Sequence, residues 1–111
     1  MNEFLFLYRG GDRPESPEQG DKVMQAWTTW MSDLDRKGFL KDRGQPLEAE
    51  GKVVKGKQKD VTDGPYTESK DLVGGYTLIL ASDLAQAAEI SKGCPIFDNG
   101  GLVEVRPVMQ M

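Results

Sequence analysis

Residues 3–9 read Glu-Phe-Leu-Phe-Leu-Tyr-Arg, which puts Phe4, Phe6 and Tyr8 on one face of an extended strand and Leu5 and Leu7 on the other. Apolar side chains on both faces mark a central strand covered on both sides. After a Gly10-Gly11-Asp12-Arg13-Pro14 loop the period changes. Ser16-Pro17-Glu18-Gln19 opens a helix, with Ser16 as N-cap, Pro17 at the first helical position and Gln19 as capping-box partner. Val23, Trp27, Trp30, Met31 and Leu34 then recur at helical spacing with Met24 beside them, opposite a wet face of Asp21, Lys22, Gln25, Thr28, Ser32 and Asp35. Gly38 stops this helix, and Gln45-Pro46-Leu47 belongs to the connection back to the sheet.

Lys52-Val53-Val54-Lys55 and Gln58-Lys59-Asp60-Val61 read as two short strands. Gly56-Lys57 between them suits a two-residue type II′ turn, and the lysines suit an edge ribbon that avoids pairing with other chains. Tyr76-Thr77-Leu78-Ile79-Leu80-Ala81 is a second strand apolar on both faces. Ser82 is expected to cap a second helix with Leu84, Ala87, Ala88 and Ser91 inward, stopped by Gly93-Cys94-Pro95. Asn99-Gly100-Gly101 turns into a last strand, Leu102-Val103-Glu104-Val105-Arg106. The order β-α-β-β-loop-β-α-β is an α+β, ferredoxin-like split β-α-β sandwich with an extra edge hairpin, both helices on one sheet face. Two helices cover one face only, so the apolar residues on the other predict a homodimer through the sheet faces.

Composition narrows the function classes. The 111 residues suit one domain, with 38% apolar and 29% charged residues. No apolar run approaches bilayer length, and the start lacks the pattern of a signal peptide. With a single cysteine, these features lead us to expect a cytoplasmic protein without a membrane partner. The net charge of −4 argues against direct nucleic-acid binding. The chain has no histidine, which removes His-based triads and His metal ligands. No metal or cofactor is expected.

Val61-Thr62-Asp63-Gly64-Pro65-Tyr66-Thr67-Glu68-Ser69-Lys70, then Gly74-Gly75-Tyr76, then Val103-Glu104-Val105-Arg106-Pro107-Val108, together resemble the DGPF-domain branch of the YCII-related proteins. Trp27 and Gly51-Lys52-Val53-Val54 add to the likeness. Tyr66 stands where the family motif usually has Phe. The resemblance implies a ferredoxin-like domain that dimerises into an α+β barrel, bacterial origin, and a suspected role near sigma-factor regulation. It implies no assigned activity. A His–Asp pair carried by some relatives has no counterpart in a chain without histidine.

Each candidate site residue has two readings. Asp63-Gly64-Pro65-Tyr66 reads as a turn in which Asp caps, Gly takes a conformation other residues resist and Pro fixes φ. It also reads as a cleft mouth, with the Asp63 carboxylate near Glu68, able to hold a cation or move a proton. Glu104 and Arg106 point away from the helices, either as an ion pair with each other or across the dimer interface, or with Arg106 clamping an anionic ligand. Tyr8 and Tyr76 belong to core or interface, or line the same space. Cys94 follows a helix C-terminus with no base beside it, which reads as packing. Trp27 and Trp30 read as core anchors. The leading function is a homodimeric small-molecule-binding or regulatory accessory domain. The alternatives are an enzyme acting on a small polar or anionic metabolite through a carboxylate, and an interaction module linked to a transcription regulator.

Overall fold

The computed structural model describes residues 1–65 and 71–111. Among them lie β1 (Asn2–Arg9), α1 (Pro17–Arg36), β2 (Leu40–Asp42), β3 (Gly51–Lys55), β4 (Asp60–Gly64), β5 (Val73–Ala81), α2 (Leu84–Ser91) and β6 (Leu102–Pro107). A 3₁₀ turn, Pro95–Asn99, follows α2. One antiparallel sheet has the spatial order β2-β5-β1-β6, and β3 and β4 form a two-stranded sheet of their own. Apart from that hairpin, the chain runs β-α-β-β-α-β, which with this strand order is the ferredoxin-like α+β arrangement.

Alternation along β1 decides what lies inside. Phe4 pairs with Ile79 and Pro107, Phe6 with Thr77 and Val105, and Tyr8 with Gly75 and Val103, so these side chains share the face that meets the helices. Phe6 is 0% exposed and stacks on Trp30 with ring centroids 6.3 Å apart. Trp30, Met31 and Leu34 are the buried residues of α1. Small residues bring α2 close: Ala87 and Ser91 are its buried positions.

The other sheet face carries Leu5, Leu7, Tyr76, Leu78 and Leu80, all half-buried. Charged pairs flank this apolar strip. Lys41 pairs with Glu3 at one side, and on the other Arg9 Nε donates to Glu104 Oε1 at 2.8 Å. The Arg106 guanidinium reaches the second oxygen of Glu104 at 3.5 Å.

Local signals account for the helix starts. The Ser16 side chain accepts from Gln19 N–H, and Gln19 reaches back to the Glu15 N–H. At α2 the cap is Asp83, not Ser82. Asp83 accepts from Gln86 N–H while Gln86 Oε1 accepts from Ser82 N–H, a reciprocal capping box that begins one residue later than Ser82 suggests. Leu84 and Ala88, expected on the inner face, are both exposed, and the helix packs through Ala87 and Ser91 instead.

The hairpin also differs from expectation. It pairs with itself and not with the edge of the main sheet, whose outer strand is β2. The turn spans four residues, closed by Lys59 N–H donating to Gly56 O at 3.1 Å, with Lys59 at φ 59°. Lys55 pairs with Asp60 across this turn, and β4 therefore starts at Asp60. Val54 and Val61 pair across the ribbon and are each 60% exposed. The radius of gyration, 15.5 Å, exceeds the roughly 13 Å usual for a chain of this size, as a projecting ribbon requires. No helix among the described residues is long and apolar enough to cross a membrane.

Gly64 does not take a positive φ. It pairs with Gly51, and a Cβ on it would lie 3.2 Å from the Gly51 carbonyl carbon. Crowding against the partner strand, and not a left-handed backbone, is what favours glycine there. Gly64→Val is therefore expected to lower the melting temperature more than Asp63→Asn, whose side chain is 91% exposed. Equal losses would contradict this packing.

Candidate functional site

β5 begins with a Gly-Gly step, and the segment after β2 runs against it. Leu47 N–H donates to Gly74 O at 2.9 Å, and Pro46 forms a bridge with Gly75. Gly44 makes the closest approach. At φ +70° its backbone passes so near β5 that a Cβ would sit 1.8 Å from the Tyr76 carbonyl oxygen. The Asp42 carboxylate accepts from Gly44 N–H at 2.8 Å and holds the turn.

Segment 43–46 thus stands as a wall facing α1, and a cavity of about 490 Å³ lies between them on the helix side of the sheet. Val23, Met24, Trp27, Thr28 and Met31 form the opposite wall. Gly10, Gly11 and Asp12 close one end together with Ile96 and Asn99, and Tyr8 and Thr77 line the sheet side. Most of this lining is apolar or aromatic, and the volume lies within the roughly 300–1,000 Å³ usual for small-molecule sites.

A short relay of polar atoms sits on the sheet side. Tyr8 Oη donates to Thr77 Oγ1 at 2.7 Å, and Thr77 Oγ1 donates to the Arg43 carbonyl at 3.0 Å. Tyr8 also meets Trp27 edge-on with centroids 4.8 Å apart. Burial pushes the Tyr8 phenol well above its ordinary value, against the opposing effect of the Thr77 hydrogen bond. The phenol is protonated throughout the physiological range.

The profile of the YCII-related domain matches residues 4–111. The chain belongs to the YCII-related family. No curated protein matches it. Among solved structures, the 5-chloro-2-hydroxyhydroquinone dehydrochlorinase of Burkholderia phenoliruptrix, in complex with 2,5-dihydroxybenzoquinone, is similar over 98% of this chain and 95% of that one. Its identity is 18% and the TM-score 0.48, a likeness too distant to carry a reading of the cavity.

In this YCII-related domain five of the six residues singled out from the sequence are described, and they fall into three places. Tyr8 lines the cavity from the helix side of the sheet, and Tyr76, whose side chain is on the open face, borders it next to Gly44. Glu104 and Arg106 lie on the opposite sheet face, in register with Leu7 and Leu5. Asp63 lies on β4, paired with Lys52 at 2.7 Å, and Glu68 lies outside the described residues. Asp12, Thr28, Arg43 and Thr77 on the cavity wall were not singled out. The signals available for them were the Gly10-Gly11-Asp12 loop, read only as a loop, and Gly44, which precedes the Gln45-Pro46-Leu47 connection and was given no reading of its own. Among the described residues no group of three His, Cys, Asp or Glu side chains is placed to hold a metal ion.

The principal partner of Glu104 is Arg9, a pairing between strands that periodicity within the last strand could not reveal. The hydrogen bond from Arg9 holds the Glu104 carboxyl below the usual carboxylate range, with partial desolvation opposing it. A depressed folded-state pKa contributes stability above the unfolded value, about 4.3, and loses it as pH falls through the folded value. In Arg9→Gln the Glu104 carboxyl is therefore expected to titrate at higher pH, and the acid dependence of stability below about pH 4.3 should flatten. A carboxyl-carbon NMR titration unchanged by the substitution would refute the pairing.

Cys94 is 4% exposed. Burial pushes its thiol up to about 12, and the nearby Asp98 charge adds to this, against a hydrogen bond from the Ile96 backbone. Iodoacetamide at neutral pH should modify Cys94 only as the chain unfolds. Rapid stoichiometric labelling of the native protein would contradict this burial.

Proposed function

We propose that this YCII-related domain is a homodimeric small-molecule-binding domain whose ligand occupies the cavity between α1 and the four-stranded sheet. The observation that carries this reading is the cavity itself, about 490 Å³ with an apolar and aromatic lining and one polar relay. Trp27 and Met24 line it, and Met24, 68% exposed, leaves apolar surface open there. The protonated Tyr8 phenol suits recognition better than proton abstraction.

Dimerisation through the open sheet face is supported by its layout. A strip of five half-buried apolar residues lies between the Glu3–Lys41 and Arg9–Glu104–Arg106 ion pairs. An apolar centre with a charged rim is the anatomy of a protein interface. A cytoplasmic setting agrees with a single buried thiol.

The test is to plug the cavity. Thr28 is exposed and lines the cavity, so Thr28→Trp should leave stability within about 0.5 kcal/mol of the parent and abolish binding of small aromatic compounds found by thermal-shift screening. Undiminished binding by Thr28→Trp would overturn the reading. Asp12 places a carboxylate on the cavity wall, which makes a proton-transfer enzyme the second reading. Recovery of the bound compound chemically unchanged after prolonged incubation would speak against it.

A further inference from the structure

The direction of the hydrogen bonds in the polar relay follows from chemistry. The Arg43 carbonyl can only accept, so the one O–H of Thr77 is committed to it. Thr77 Oγ1 then has only lone pairs to offer Tyr8, so the one O–H of Tyr8 is committed to Thr77. Both protons are used. Among the described residues no donor reaches Tyr8 Oη, which keeps a free lone pair. Thr77 is fully buried, so water does not compete for the relay from behind.

From this we infer that the ligand of the cavity is a small aromatic molecule bearing an O–H or N–H donor, received by the Tyr8 oxygen. This rests on the binding reading above and narrows it to a class. The aromatic body follows from the lining. Trp27, Tyr8, Met24 and Met31 present ring and thioether surfaces, which favour aromatic partners over aliphatic ones of equal size. The donor follows from the relay. A ligand that can only accept must either break the Tyr8–Thr77 bond or leave the Tyr8 oxygen desolvated and unpaired. Selectivity for a donor is therefore built into residues that need not move.

Indole and benzofuran are suitable probes, since they share size and shape and differ in an N–H donor against a ring oxygen. Calorimetric titration of the intact protein should show indole binding about three- to tenfold more tightly. Tyr8→Phe removes the accepting oxygen and should bring the two affinities together. Thr77→Val frees the Tyr8 O–H to turn toward the cavity, so benzofuran should gain and the preference should narrow or reverse. That reversal is a signature that a merely structural role for Thr77 would not produce. Equal binding of the two probes by the parent, or a preference unchanged in both variants, overturns the donor inference and leaves the cavity reading standing. Binding of neither probe overturns both.

Discussion

Gly44→Ala is expected to destabilise the domain by about 2–3 kcal/mol and to abolish binding in the cavity. Two causes add. A side chain at φ +70° occupies the left-handed region, at a cost of roughly 1–2 kcal/mol. The new Cβ would also meet the Tyr76 carbonyl oxygen at 1.8 Å and its carbon at 2.7 Å, so the backbone of segment 43–46 must move away from β5. That movement breaks the Thr77–Arg43 hydrogen bond, worth about 0.5–1.5 kcal/mol, and displaces one wall of the cavity. For a domain of this size the loss corresponds to about 10 °C or more in melting temperature. Gly38→Ala is the matched control, because Gly38 has φ +82° but nothing within 4 Å of its Cβ position. It should show the backbone cost alone and leave the cavity intact. Equal losses in the two variants would mean that segment 43–46 does not lie against β5 as described.

If two copies pair through the open sheet face as proposed, Leu78→Asp is expected to dissociate them. Leu78 pairs with Leu5 in the middle of the open face, half-buried within one chain. In the dimer the new carboxylate would be buried among leucines with no counter-charge. An unpaired buried charge costs about 3–5 kcal/mol, which is a hundredfold or more in the dimer dissociation constant. The isolated chain should tolerate the change, since the site is open to water on that side. Val54→Asp on the projecting hairpin is the control and should leave the assembly unchanged, because Val54 is remote from the strip in both sequence and sheet. Sedimentation equilibrium separates the outcomes. A dimer that survives Leu78→Asp with unchanged affinity must use another surface.

The parts of this fold that could be read from the sequence were those with local causes. The two faces of β1 and β5 follow from their alternation, and the start of α1 follows from Ser16, Pro17 and Gln19 acting within one turn. β2 left almost no trace. Its three residues hold one apolar side chain, and it is a strand because Leu80 N–H donates to Phe39 O and Leu40 lies beside Ile79, both consequences of folding. The candidate site was harder still. The cavity draws on Gly10–Asp12, α1, Arg43–Pro46, Gly74–Thr77 and the 3₁₀ turn, and none of these segments is unusual alone. Trp27 shows why. An apolar position in a helical stripe looks the same whether it faces a packed core or a space, and Trp27 faces both Tyr8 and the cavity. Asp63 heads the strongest motif, yet its carboxylate is 91% exposed beside Lys52.

The most direct test of the cavity as the binding site is an amide and indole NMR titration of the isotopically labelled protein with indole. Binding there should shift the Trp27 side-chain N–H and the amides of Gly44, Gly75 and Thr77 together, with one saturation curve, while Val54, Val61 and Asp63 on the hairpin stay in place. Shifts gathered instead on Leu5, Leu7 and Leu78, or around Asp63 and Arg106, would contradict the assignment of the cavity as the site.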